Sequence, residues 1–251
     1  MSYALYEIGG LRFWTEEEIE FRELLTARLK TVMYDTLTRM NGAWKFARVE
    51  GPILAPRDRI NPNYGDADLF VTNHEAGGQV MCLSPETTDT SYTYARYLMA
   101  KHEDKRWRYP PICVWQVRKS FRRENTDGAT WGKLRANDFY QLEFQCIYST
   151  KSGADYKTPV IAALQAEMNR FFEGEARVVD SDRLPSYSKE TKDLEVWHRS
   201  TVSGLEMYRE VASISTRTDF GEGFEVLEVA FGLDRLVEIA NINNVRLGEG
   251  N

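Results

Sequence analysis

Cysteine and histidine are scarce in this 251-residue sequence, with three of each. Cys82, Cys113 and Cys146 stand far apart and are odd in number, which argues against a disulfide framework and for reduced core residues. No C-x-x-C spacing accompanies them, and His74, His102 and His198 are isolated, so a zinc site shared by distant strands has no motif behind it. Long apolar runs are also missing. None approaches the roughly 20 residues of a membrane span, and the N-terminal "MSYALYEIGGLRFW" has neither a basic leader nor a sustained apolar segment. A cytoplasmic location with no membrane partner is the expectation. Excess positive charge is absent too: a formal charge of -6 and a pI near 5.3 speak against broad nucleic-acid binding, although a local basic patch fits inside such a total.

What is present reads as an ordinary globular chain, 42% hydrophobic and 28% charged, long enough to bury an ample core. No repeat, low-complexity tract or linker divides it, so residues 1–251 are expected to form one domain. "TEEEIEFRELLTARLKTVMYDTLTRM" has a Thr ahead of a Glu-rich first turn and a helical apolar stripe, predicting a long amphipathic helix over 15–40. Pro52 and Pro56 restrict "KFARVEGPILAP" to an edge strand or extended segment. Residues 57–78 read as loop, "QVMCL" as a short strand, and "TSYTYARYLMAKHEDKRW" and 159–175 as helices. Two strand-like runs, "MYREVASIS" and "FEVLEVAF", precede a closing helix, "LDRLVEIANI".

Charge collects beside two segments that look like buried strands. In "ICVWQVRKSFRRE", strand alternation puts Cys113, Trp115, Val117 and Phe121 on one face and Gln116, Arg118, Ser120, Arg122 and Glu124 on the other. "FYQLEFQCIY" repeats the pattern, with Phe139, Gln141, Glu143 and Gln145 opposite Tyr140, Leu142, Phe144 and Cys146. If residues 125–134 close a hairpin, the polar sides coincide as a floor of Arg, Glu, Gln and Phe. Such a floor is often just the solvated side of a sheet, but this one favours Arg, which pairs with phosphate or carboxylate, and it includes an aromatic ring. "FEVLEVAFG" adds Glu228 beside Val226 and Ala230. Gly232 then opens a helix with Arg235 in its first turn, where a cation opposes the positive end of the helix dipole unless an anion binds there.

These residues resemble a known pattern. "FRRE", a loop, and Arg135, Phe139 and Glu143 at four-residue intervals are similar to motif 2 of class II aminoacyl-tRNA synthetases, over about 112–148. "EVAFGLDRL" is similar to motif 3, about 224–240, and the long helix with "GPIL" to motif 1, about 20–54, whose proline, here Pro52, lies at a dimer interface in that class. Within the class, "LSPET", "EVASISTRTDF" and "VLEVAFGLDR" resemble glycyl-tRNA synthetase segments. The resemblance implies an α+β fold, mostly an antiparallel six-stranded sheet flanked by helices; the anticodon-binding domain that glycyl enzymes carry after motif 3 is expected to be lacking, since "NINNVRLGEGN" follows instead.

It also implies roles. Arg122 would bind the α-phosphate of ATP and the substrate carboxylate, Glu124 the adenine amino group, and Arg135 and Arg235 the outer phosphates. Phe139 would stack on adenine, with Gln141 in the same ATP site. Glu86, Glu143, Glu210 and Glu228 would surround the ammonium group of an amino acid, with Arg217 nearby, and Glu143 and Glu228 would also touch Mg2+. The expected activity is activation of a small amino acid, glycine or similar, as its adenylate, with transfer to a carrier protein, a small molecule or tRNA. The expected assembly is a homodimer. The alternative is a noncatalytic dimeric accessory protein. Ser84, Asn137, Ser213, Ser215 and Ala230 depart from the glycyl pattern, several of them near the expected amino-acid pocket.

Overall fold

A computed structural model describes residue 11 and residues 13–101, 107–124, 134–172, 176–199 and 206–245. Helix α1, Glu16–Met40, begins at a reciprocal cap: the Thr15 hydroxyl accepts from the Glu18 N–H at 3.3 Å, and the Glu18 carboxylate accepts from the Thr15 N–H at 3.0 Å. Leu25, Leu29, Met33 and Leu37, one helical turn apart, are fully buried along its inner face.

The main sheet holds β1 (Lys45–Arg48), β5 (Ile112–Phe121), β6 (Asp138–Ser149), β10 (Phe224–Gly232), β9 (Glu206–Arg217), β8 (Ser188–Arg199) and β7 (Ala176–Asp180), in that spatial order. It therefore has seven strands where the resemblance implies six. β1 runs parallel to β5 and every other neighbour is antiparallel, so the sheet is mixed. β2 (Leu54–Pro56), β3 (Val71–Ala76) and β4 (Gln79–Leu83) form a separate small sheet. Its strand β3 lies inside the stretch read from sequence as loop. An irregularity in the β3–β4 register between Val71 and Glu75 breaks the alternation that would have marked it. The turn expected over 125–134 lies outside the described residues apart from Leu134, but β5 and β6 do pair as its two arms.

Helices α1, α3 (Lys157–Phe171) and α4 (Leu233–Ile242) cover one face of the sheet, burying Trp115, Leu142, Phe144, Cys146, Leu194, Ile214, Val229 and Phe231 with their own apolar residues. Each such side chain, fully buried, contributes about 1.5–3 kcal/mol. Helix α2 (Thr88–Ala100) packs on the opposite face, over Ile112, Val114, Ile147 and Val226. The helices thus occupy both faces, but α2 covers only one end of the second. The rest of that face is left to a polar cavity. No helix among the described residues is long and apolar enough to cross a membrane.

Candidate active site

Strand register builds the cavity floor. Gln116, Glu143, Ala230, Ser213 and Asp193 are successive partners across five strands, and Gln145, Glu228, Ser215 and Thr191 form the adjacent row. The cavity above them measures about 700 Å³. Its lining includes each of Glu86, Arg122, Glu124, Arg135, Phe139, Gln141, Glu143, Glu210, Arg217, Glu228 and Arg235, so every site residue expected from the sequence borders one space.

One end is rich in guanidinium. Arg122 follows β5, where its N–H donates to the Asn137 carbonyl at 2.9 Å; its Nε donates to the Pro85 carbonyl at 3.2 Å and its guanidinium carbon lies 5.2 Å from the Phe139 ring centre. Asn137, where the glycyl pattern has Arg, accepts from the Glu124 N–H at 2.9 Å and so fixes the start of the loop. Arg135 Nη1 reaches Glu124 Oε2 at 3.2 Å. Arg235, in the first turn of α4, donates to the Leu134 carbonyl at 3.3 Å and stands 3.7 Å from the Glu210 carboxylate. Among the described residues Arg122 has no carboxylate at ion-pair distance. Burial holds the Arg235 pKa below the ordinary arginine value. Since arginine stays charged in proteins, the arrangement lowers its electrostatic cost by taking up an anion.

The other end is acidic. Gln145, fully buried, donates from one amide nitrogen to Glu143 at 2.7 Å and to Glu228 at 2.6 Å. Arg217 Nη1 pairs with Glu228 at 2.6 Å, while its Nε and Nη2 hold Asp219 at 3.1 and 2.6 Å. The Arg217 guanidinium also lies 4.0 Å from the Tyr187 ring centre. Burial, then the charge of Glu228, raises the Glu143 pKa. Burial likewise pushes Glu86 up to about 8, with Glu143 and Glu228 adding to the effect. Arg118, on β5, supports this end: it donates to the carbonyls of Pro52 and Glu86 and to the Ser84 hydroxyl, pinning the Glu86 segment to the sheet.

Glu143 and Glu228 offer the hard oxygens that magnesium favours. However, an oxygen of each is already committed to Gln145, and in Glu228 to Arg217 as well. Among the described residues no three acid, histidine or cysteine groups gather as a metal site. The pair does not fit a resident metal centre.

The sequence puts Gln145 on the polar face but gives no sign of its bridging role between Glu143 and Glu228. Sequence reasoning also misses Tyr187, Thr191 and Asp193, which reach the cavity from β8 and the segment before it. Their signal was faint: "SKETKDLEVWHR" is dense in charge, and register shifts between Ser188 and Glu190 and between Leu194 and Glu195 interrupt its alternation.

No known family profile matches the chain. The glycine–tRNA ligase of Streptomyces coelicolor is 30% identical over 154 residues, covering 57% of this chain and 30% of that protein. The crystal structure of prolyl-tRNA synthetase from Cryptosporidium parvum, complexed with halofuginone and AMPPNP, matches with a TM-score of 0.65 at 12% identity, over 93% of this chain and 48% of that one. The chain thus spans less than half the length of either relative. It has the fold of a class II aminoacyl-tRNA synthetase catalytic domain and is similar in sequence, over 57% of its length, to a glycine–tRNA ligase.

Proposed function

We propose that the domain activates an amino acid with ATP and passes the acyl group to an acceptor, which is a carrier protein, a small molecule or tRNA. One observation carries the proposal: Arg122, Arg135 and Arg235, from three separate parts of the chain, border one cavity together with Phe139 and Glu124. In the proposed reaction the amino-acid carboxylate attacks the α-phosphorus. A C–O–P linkage forms as the bond to pyrophosphate breaks. The carboxylate is already a nucleophile, so no general base is needed; the work is alignment and stabilisation of charge spreading over the phosphates. Arg122 would hold the α-phosphate, and Arg135 and Arg235 the departing pyrophosphate. Phe139 would stack on adenine beside Glu124 and Gln141.

Glu86, Glu143 and Glu228 would receive the ammonium group, with Arg217 holding Glu228 in place and Glu210 at the cavity edge. Crowding by these carboxylates leaves little room beside the ammonium group itself. Magnesium enters the proposal as the companion of the triphosphate, and no step is assigned to it. A homodimer formed through α1 and the Pro52 segment belongs to the same reading, and light scattering on the purified protein tests it.

The test is amino-acid-dependent exchange of labelled pyrophosphate into ATP across a panel of amino acids. Exchange with at least one is expected, as is its loss by two to three orders of magnitude in Arg235→Ala while the fold persists. Silence across the panel from folded protein would instead favour a noncatalytic accessory protein.

A further inference from the structure

The cavity floor has a second acidic position that the proposed chemistry does not use. Asp193 lies in the same row as Glu143, three strand steps away through Ala230 and Ser213. At the usual spacing of neighbouring strands this is about 14 Å between backbones. The floor between them carries only small side chains, Ala230, Ser213 and Ser215, with Thr191 beside Asp193 on the same strand.

Asp193 is 9% exposed and borders the cavity, yet among the described residues no cation stands at ion-pair distance from it. The charged groups acting on it most strongly are Glu210, Asp182 and Glu195, all acidic, and a hydrogen bond from the Ser181 side chain offsets them only in part. Burial and that negative surrounding push its carboxyl up to about 6. A buried carboxylate without a cation is costly, and folded proteins generally compensate such groups. Glu228, by contrast, already has Arg217. The Thr191 and Ser215 hydroxyls, bonded to each other at 3.1 Å, give the path between the two acidic ends a polar wall.

We infer that Asp193 is a specificity residue: it receives a second ammonium group, carried on the unbranched side chain of a diamino acid whose α-ammonium lies against Glu86, Glu143 and Glu228. This rests on the amino-acid-activating reading and narrows its substrate class. A carboxylate accepts hydrogen bonds and donates none, so a side-chain cation matches it better than a hydroxyl or a methyl group. The small residues along the floor leave a channel for methylene groups, as a glycine-only pocket would not.

Calorimetric titration with ornithine and lysine, against their monoamino counterparts norvaline and norleucine, tests the inference without requiring turnover. Each diamino acid is expected to bind at least tenfold more tightly than its counterpart, and Asp193→Asn is expected to remove most of that difference. Equal binding within each pair overturns the inference, as does a preference that survives in folded Asp193→Asn. The comparison of ligands alone decides the matter if the variant does not fold. Pyrophosphate exchange with the same compounds and glycine separates the two readings. Diamino preference in binding without exchange removes the activating function but keeps the subsite. Exchange confined to glycine, with no diamino preference, keeps the function and removes the subsite.

Discussion

The guanidinium of Arg217 and the carboxylate of Glu228, on neighbouring strands but two residues out of register, meet at 2.6 Å inside the cavity wall. Asp219 occupies the other edge of the same guanidinium, and burial of the group is outweighed by these two acids, so its charge is secured. The pair fixes one acid of the proposed ammonium site by a rigid fork rather than by a mobile lysine. Gln145 then joins Glu228 to Glu143, making the acidic end one connected hydrogen-bonded unit.

That connection predicts the behaviour of Gln145→Leu. Without the bridging amide the two carboxylates lose their common donor, and the KM for the amino acid is expected to rise about tenfold, equivalent to roughly 1.4 kcal/mol, with kcat changing less. Steady-state exchange kinetics measure it. A lower melting temperature with unchanged KM would mean that Gln145 only supports the fold.

Glu86 gives a pH dependence. Its carboxyl is held at about 8 against an ordinary 4.5, so between those values the folded protein binds more protons than the unfolded chain. Stability therefore falls as pH rises through that window. Glu86→Gln should raise the melting temperature relative to the parent at pH 8.5 and have little effect at pH 4. The ammonium group needs the ionised form, so the parent's KM for its amino acid should fall from pH 6.5 to 8.5. Thermal melts and kinetics at those pH values check both statements, and a flat KM profile contradicts the second.

Arg118 is buried, and it holds carbonyls of two segments as well as Ser84. Arg118→Leu takes the donor from the Pro52 carbonyl and from the Ser84 hydroxyl, and leaves the Glu86 carbonyl with the Ser84 hydroxyl alone. A loss of about 2–4 kcal/mol in denaturant unfolding is expected, built from unmet bonds at about 1–3 kcal/mol each. Amino-acid binding should weaken with it, because Glu86 is no longer pinned.

Much of this arrangement is legible in the sequence. The alternation in 112–121, 138–149 and 224–232 names the faces of three central strands correctly, because each has one face in the main apolar core and the other divided between α2 and a polar cavity. Thr15 with Glu18 marks the start of α1 for a local reason that tertiary contacts do not alter. The remainder is illegible for equally physical causes. β1 joins the sheet edge by parallel pairing with a strand more than 60 residues away, which nothing local encodes. β8 turns Thr191 and Asp193 toward the cavity and Leu194 and Val196 toward the core, but its register shifts and dense charge conceal that division. Arg118 reads as floor, whereas its guanidinium is spent holding the Glu86 segment.

The central claim is that three arginines serve one bound nucleotide. Calorimetric titration of AMPPNP into the parent protein and into Arg122→Ala, Arg135→Ala and Arg235→Ala tests it most directly. The account predicts measurable binding by the parent and a loss of at least tenfold in each folded variant. Undiminished AMPPNP binding in all three variants would contradict it.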